Sequence, residues 1–169
     1  VNITTSVPTK DELERTSLAD TTYGATAIVT NFDNPIADYC GCGGVAFVGT
    51  YNVVDNLFFQ PAWAFVDNID NGKVIAEVVS HEVGHNLGLL HHGQGSEEYY
   101  LGANGWAPLM GAGYYEPVTT WSNGQYLGAT RNQNDISVIN SLGLDYLPDA
   151  VANTTSGATQ LKNNVSVDG

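Results

Sequence analysis

The sequence predicts an α+β domain, and three observations carry that expectation. Short runs rich in β-branched and aromatic residues recur through the first 66 positions. One helical stripe follows, with Val74, Ile75, Val78, Val79, Val83 and Leu87 on a common face. A second helix-like run comes only near residue 140, after a long stretch rich in Gly, Tyr and Asn. This order suits a twisted sheet with two helices and a cleft between an upper and a lower half.

Taken in order, residues 1–5 read as a strand and 10–19 as a short helix. Residues 25–30, 45–50 and 63–66 read as further strands, each alternating or continuously apolar between turn signals. Asn71-Gly72 breaks the chain before a helix over 73–88. Residues 93–131 read mostly as loop, and 132–142 as a helix that begins behind polar residues and stops at Gly143. After Leu147-Pro148 the chain turns to Asn, Thr, Ser, Asp and Gly. Residues 1–147 are therefore expected to form one domain, with 148–169 a linker or C-terminal extension.

All four histidines lie between positions 81 and 92, in a run that reads H-E-x-x-H-x-x-G-x-x-H from His81 to His91. Residues four apart on a helix are separated by about 6 Å of rise and about 40° of rotation. His81 and His85 therefore project from one face, close enough to share an ion. Zinc takes imidazole nitrogens at about 2.0–2.1 Å, and catalytic sites combine three protein ligands with a water. Gly88 can adopt the left-handed conformation that ends a helix, letting His91 swing back as the third ligand. His92 is expected at the rim or behind the ligands. Glu82 is placed to act as general base on a zinc-activated water. A structural zinc site would be closed by a fourth protein ligand; neither cysteine is near, and such a site has no use for Glu82. A third ligand drawn from Glu97, Glu98 or Glu116 is the alternative, but none of these lies in a convincing helix.

The motif resembles that of the metzincin zinc peptidases, and His85-Asn86-Leu87-Gly88 is most like their reprolysin-like, adamalysin-related branch. Residues 42–49, 106–111 and 134–139 are similar to secreted bacterial members of that branch. The resemblance implies a zincin-like (metzincin) fold, with an active-site helix, a C-terminal helix and zinc in the cleft. It implies a secreted, extracellular zinc metalloendopeptidase acting on proteins or peptides, with zinc on His81, His85 and His91 and catalysis by Glu82. Met110, the sole methionine, would form the Met-turn, a structural floor beneath the metal. Residues 45–49 would border an extended substrate, and Trp106 would help shape the pocket for the residue after the scissile bond. Two positions depart from the pattern. His92 stands where animal reprolysins have aspartate, and Ala112 where astacins and serralysins carry a tyrosine that reaches the metal. Tyr114 or Tyr115 could approach instead. Relative to the clan the first 80 residues are short: either the opening helix is reduced to 10–19 or an N-terminal piece is missing.

Five Lys+Arg stand against 18 Asp+Glu, a formal net charge of −13, which argues against nucleic-acid and anionic-membrane partners. No run approaches the roughly 18 apolar residues of a membrane span. With the resemblance, this balance suits a secreted monomer that offers few sites to trypsin-like attack. The opening at Val1, without a leader-like segment, suits a processed or truncated product. Cys40 and Cys42 are expected as a local disulfide or as two strand-end thiols, and as a poor metal site. Residues 67–72 hint at calcium but miss the EF-hand spacing. Sequons occur at Asn2, Asn153 and Asn164.

Overall fold

Small residues set the centre of the structure. In a computed structural model, which describes residues 4–67 and 71–146, strand β3 (Ala62–Phe65) reads Ala-Trp-Ala-Phe. Its alanines let a helix approach closely, and Phe65, on the alternate face, is buried at 2% exposure beside the ring of Phe32. Burying such a ring contributes about 1.5–3 kcal/mol. β1 (Ala27–Thr30) pairs with β3 in parallel, Ala27 opposite Ala62. β2 (Gly44–Val45) pairs with it antiparallel, Gly44 opposite Ala64. The sheet order is β1-β3-β2, so β2 is an edge. Helix α3 (Gly72–Asn86) packs on all three strands.

Around this core lie two short helices, α1 (Lys10–Leu13) and α2 (Pro35–Cys40), on the N-terminal side. Beyond α3 come β4 (Trp106–Pro108) and β5 (Val118–Thr120), paired in parallel, and then α4 (Asp135–Asn140). The mixed α+β architecture holds, with a small mixed sheet.

Several boundaries differ from expectation. The helix expected over 10–19 stops at Leu13: Glu14 turns to extended backbone, and Asp20 draws the Thr16 amide and hydroxyl into a local turn. The strand expected over 45–50 keeps only Val45. Beyond it Gly49 has φ +72°, and its amide donates to the His85 carbonyl, strapping this segment to α3 instead of to β3. Helix α2 was not expected, although Asn34-Pro35 is a legible start: the Asn34 side chain accepts from the amides of Ile36 and Ala37. Helix α4 is shorter than 132–142 because Asn134 caps it by accepting the Ser137 amide. Within the loop-rich 93–131 stretch, β4 and β5 form a second small sheet. Residues 4 and 5 carry no strand. Residues 1–3, the centre of the calcium hint at 68–70, the three sequon asparagines and the 148–169 extension lie outside the described residues.

The two cysteines form a disulfide with each other. Cys40 ends α2 rather than a strand. Among the described residues no helix is long and apolar enough to cross a membrane.

Much of the interior beside α3 is polar. Asn86, His92 and Asp135 are fully buried alongside Leu89 and Met110. Asn86 donates to the Phe47 carbonyl and the Thr50 hydroxyl. His92 Nε2–H donates to Asp135 at 2.9 Å, and Asp135 also accepts from the Ser122 amide and the Gln133 side chain. His92 is therefore not at a rim; it ties the chain after His91 to α4. Removing one partner of such a buried pair leaves the other uncompensated. Asp135→Ala is expected to lower the unfolding free energy by about 3–5 kcal/mol in urea titrations. Asp33→Ala, on the exposed surface, should stay within about 0.5 kcal/mol.

Candidate metal centre

The end of α3 is built to turn. Gly88 has φ +89°, its amide donates to the His85 carbonyl, and the Leu89 amide donates to the Gly84 carbonyl. These two bonds make a Schellman cap, which reverses the chain after the second histidine. His91 consequently faces His81 and His85, and one ring nitrogen of each lies within 4.8 Å of the others.

Hydrogen bonding fixes which nitrogens converge. His81 Nδ1 lies 2.9 Å from the Leu109 carbonyl, and His85 Nδ1 lies 2.8 Å from the Leu89 carbonyl. A carbonyl oxygen only accepts, so both Nδ1 atoms carry the proton and both Nε2 atoms offer lone pairs. His91 Nδ1 donates in turn to Glu98 Oε1 at 2.6 Å. His85 Nε2 and His91 Nε2 then face each other at 3.0 Å. Two lone pairs at that distance repel unless a cation joins them. Nitrogens sharing a tetrahedral zinc sit about 3.3 Å apart, so this donor set fits the ion.

Electrostatics agree with that assignment. Burial, and then the charge of His85, push the His81 pKa down to about 4. Burial also lowers that of His85. Neutral imidazole is the form that binds metal. Glu82 is buried beside them, and burial raises its pKa to about 7. Its carboxylate packs against Gly44 of β2, where a Cβ would come within 2.6 Å of Oε1.

Met110 is fully buried in a turn closed by the Gly111 amide donating to the Pro108 carbonyl. Its sulfur abuts Gly84, where a Cβ would come within 2.6 Å. The Met110 carbonyl accepts the His92 amide, joining this turn to the chain that carries His91.

A family model, metallo-peptidase family M12B reprolysin-like, matches residues 4–92, just over half of the 169 residues and all three clustered histidines. The chain belongs to this family. Comparison with curated proteins and with solved structures gives no match. Membership makes this reprolysin-like chain a metalloprotease, a metal-dependent hydrolase acting on peptide bonds, and the three-histidine cluster supports zinc as its metal.

Of the residues singled out by sequence, the structure brings His81, His85, His91, Glu82 and Met110 into one region. Tyr115 is 97% exposed and does not approach it. Tyr114 lines a pocket beside His81, and burial followed by the charges of Glu82 and Glu77 raises its pKa. Glu97 and Glu116 are outside the metal cluster, and Glu98 supports His91 rather than replacing it. Tyr99, whose ring centroid lies 4.3 Å from that of His91, had no signal in the sequence.

Two expectations follow for the reprolysin-like centre. Glu98 is exposed, so Glu98→Ala should leave the fold intact. It should weaken zinc binding about 10- to 100-fold, measured by competition with a chromogenic chelator. The second concerns Glu82 in chelated protein. Its folded pKa lies above the unfolded value, so its contribution is present below about pH 4.5 and is lost as pH rises through about 7. Chelated Glu82→Gln should therefore match wild type near pH 4.5 and exceed it above pH 7 by at most about 3 kcal/mol, read from denaturant melts. His81 acts oppositely but equally in both proteins, so it cancels.

Proposed function

We propose that the protein is a secreted, monomeric zinc metalloendopeptidase of zincin-like fold. In this reading residues 1–147 form the catalytic domain and 148–169 a linker or extension. The carrying observation is the convergence of three imidazoles, one ring nitrogen of each within 4.8 Å of the others, beside the buried carboxyl of Glu82. His81, His85 and His91 are the ligands, Glu82 is the catalytic residue, and the buried turn at Met110 is the Met-turn that supports the ligands from below.

Zinc bound there would polarise the scissile carbonyl and lower the pKa of a coordinated water to about 7. Glu82 takes a proton from the attacking water and returns it to the leaving amine, a transfer suited to a carboxyl poised near neutral pH. Gly44 leaves room for that carboxylate. The backbone of β2 is an edge that an extended peptide can join as an added strand, placing its scissile bond alongside Glu82. A cleft between the sheet with α3 and the 89–114 segment would then hold the substrate.

Zinc analysis paired with hydrolysis of casein tests this function. The wild-type protein is expected to bind one zinc per chain and to lose hydrolysis on chelation, regaining it with zinc. Glu82→Ala should keep the metal and lose activity by about 10²–10⁴-fold or more, whereas His85→Ala should lose both. Undiminished turnover by metal-loaded Glu82→Ala would remove Glu82 as the base. One zinc without hydrolysis of folded, denatured or short substrates would remove the peptidase.

A further inference from the structure

We propose that three exposed phenylalanines beside β2, Phe47, Phe58 and Phe59, form a subsite for a large apolar or aromatic side chain of the substrate, about three residues from the scissile bond. The inference deepens the peptidase reading and rests on it for the identity of the occupant as a substrate chain.

The position of the rings follows from the face of α3 that meets this part of the chain. Glu82 and Asn86 are four residues apart on α3, so they share a face one turn apart. Gly44 borders the Glu82 carboxyl, and the Asn86 side chain donates to the Phe47 carbonyl at 3.1 Å. The chain from Gly44 to Phe47 therefore runs along that face, away from Glu82. Three extended residues cover about 10 Å. A peptide added to the free edge of β2, with its scissile bond at Glu82, reaches Phe47 about three residues to one side of the cut.

The side chains met there are apolar and open to water. Phe47 is 54% exposed, Phe58 81% and Phe59 41%. They make one continuous surface, because the Phe59 ring lies edge-on to both others, with centroids 4.7 Å from Phe47 and 4.9 Å from Phe58. Single exposed apolar residues are ordinary on a protein surface, but rings packed on one another and left wet mark a binding surface. Charge narrows the occupant. Residues 45–50 and 57–61, which carry the three rings, contain no charged side chain, so an ionic ligand finds no partner among them. At −13 the chain repels both a second copy of itself and an anionic bilayer. An extended polypeptide already paired to β2 meets neither obstacle. It also brings its side chain to the rings as an intramolecular contact, without a second loss of translational freedom. A large apolar side chain then covers the rings, whereas serine leaves them wet. The substrate class this selects is protein in extended form, with its apolar residues accessible.

Three measurements test the subsite. Cleavage products of denatured casein, mapped by mass spectrometry with the zinc-loaded wild-type protein, should show aromatic and large aliphatic residues enriched about two to four positions from the cut on one side. For paired quenched peptides differing only there, in Phe or Ser, wild type should favour Phe by about tenfold or more in kcat/KM. Phe58→Ser should lower that ratio at least about threefold while keeping its zinc, and adding Phe47→Ser should bring it near unity. Leu127→Ser, which alters an equally exposed apolar residue in the 93–131 stretch, should keep the ratio. In zinc-loaded Glu82→Ala, fluorescence anisotropy should show the Phe peptide binding more tightly than the Ser peptide, a difference that Phe58→Ser reduces. A casein map without apolar enrichment at that distance, or a Phe-to-Ser ratio unchanged in both phenylalanine variants, overturns the proposal. So does a dimer in sedimentation, or binding to phosphatidylcholine vesicles, that depends on Phe58, since the rings would then serve a second copy or a membrane. If the variants fail to fold, the wild-type map decides alone. Phe-peptide binding that depends on Phe58, in a protein that cleaves nothing, would sink the peptidase reading and leave the apolar subsite standing.

Discussion

The constraint on which the rest depends is the placement of three protons. Each clustered imidazole has one nitrogen committed to an oxygen that accepts from it, so the other nitrogen has only a lone pair to present. Two of those acceptors are backbone carbonyls, of Leu89 and Leu109, and they come from two different turns. The first turn exists because Gly88 reverses the chain, and the second is the tight turn around Met110. The bond from the His92 amide to the Met110 carbonyl holds the two turns in register. Much of the fold outside the sheet can be understood as scaffolding for those two carbonyls.

Burial then does a second job with the same geometry. It disfavours charge on His81, His85 and Glu82 together. For the histidines that means readiness for a cation, and for the glutamate it means a proton held loosely near neutral pH. The polar interior carried by Asn86, His92 and Asp135 is the counterpart. There, every carboxylate oxygen of Asp135 has a donor, so the network fixes position.

Local signals carried the three-histidine cluster. The i, i+4 pair of His81 and His85, and the glycine three residues before His91, are patterns within one short segment, and periodicity finds such patterns. The strands at 25–30 and 63–66 were legible for the same reason, within two residues at their ends. Failures came where a competing contact lies far away in sequence. β2 is cut short because Gly49 bonds to His85, 36 residues on, instead of continuing the ladder. Asp135 meets His92 across 43 positions. Glu98 and Tyr99 reach His91 only because the chain folds back after it. Asn34-Pro35 is different: the start of α2 was written locally and lies in a segment with no apolar periodicity to draw the eye.

The chain's own basic residues are few and held in place. There are five in 169 residues. Arg15 is tied to the carbonyls of Asn52 and Leu18 and lies over the ring of Tyr23, while Lys10 and Lys73 are each held by a glutamate one turn on. A protease that cuts beside lysine or arginine meets few such bonds on this chain. Scarcity of lysine and arginine would then let the chain outlast more basic neighbours wherever trypsin-like enzymes set the lifetime of proteins.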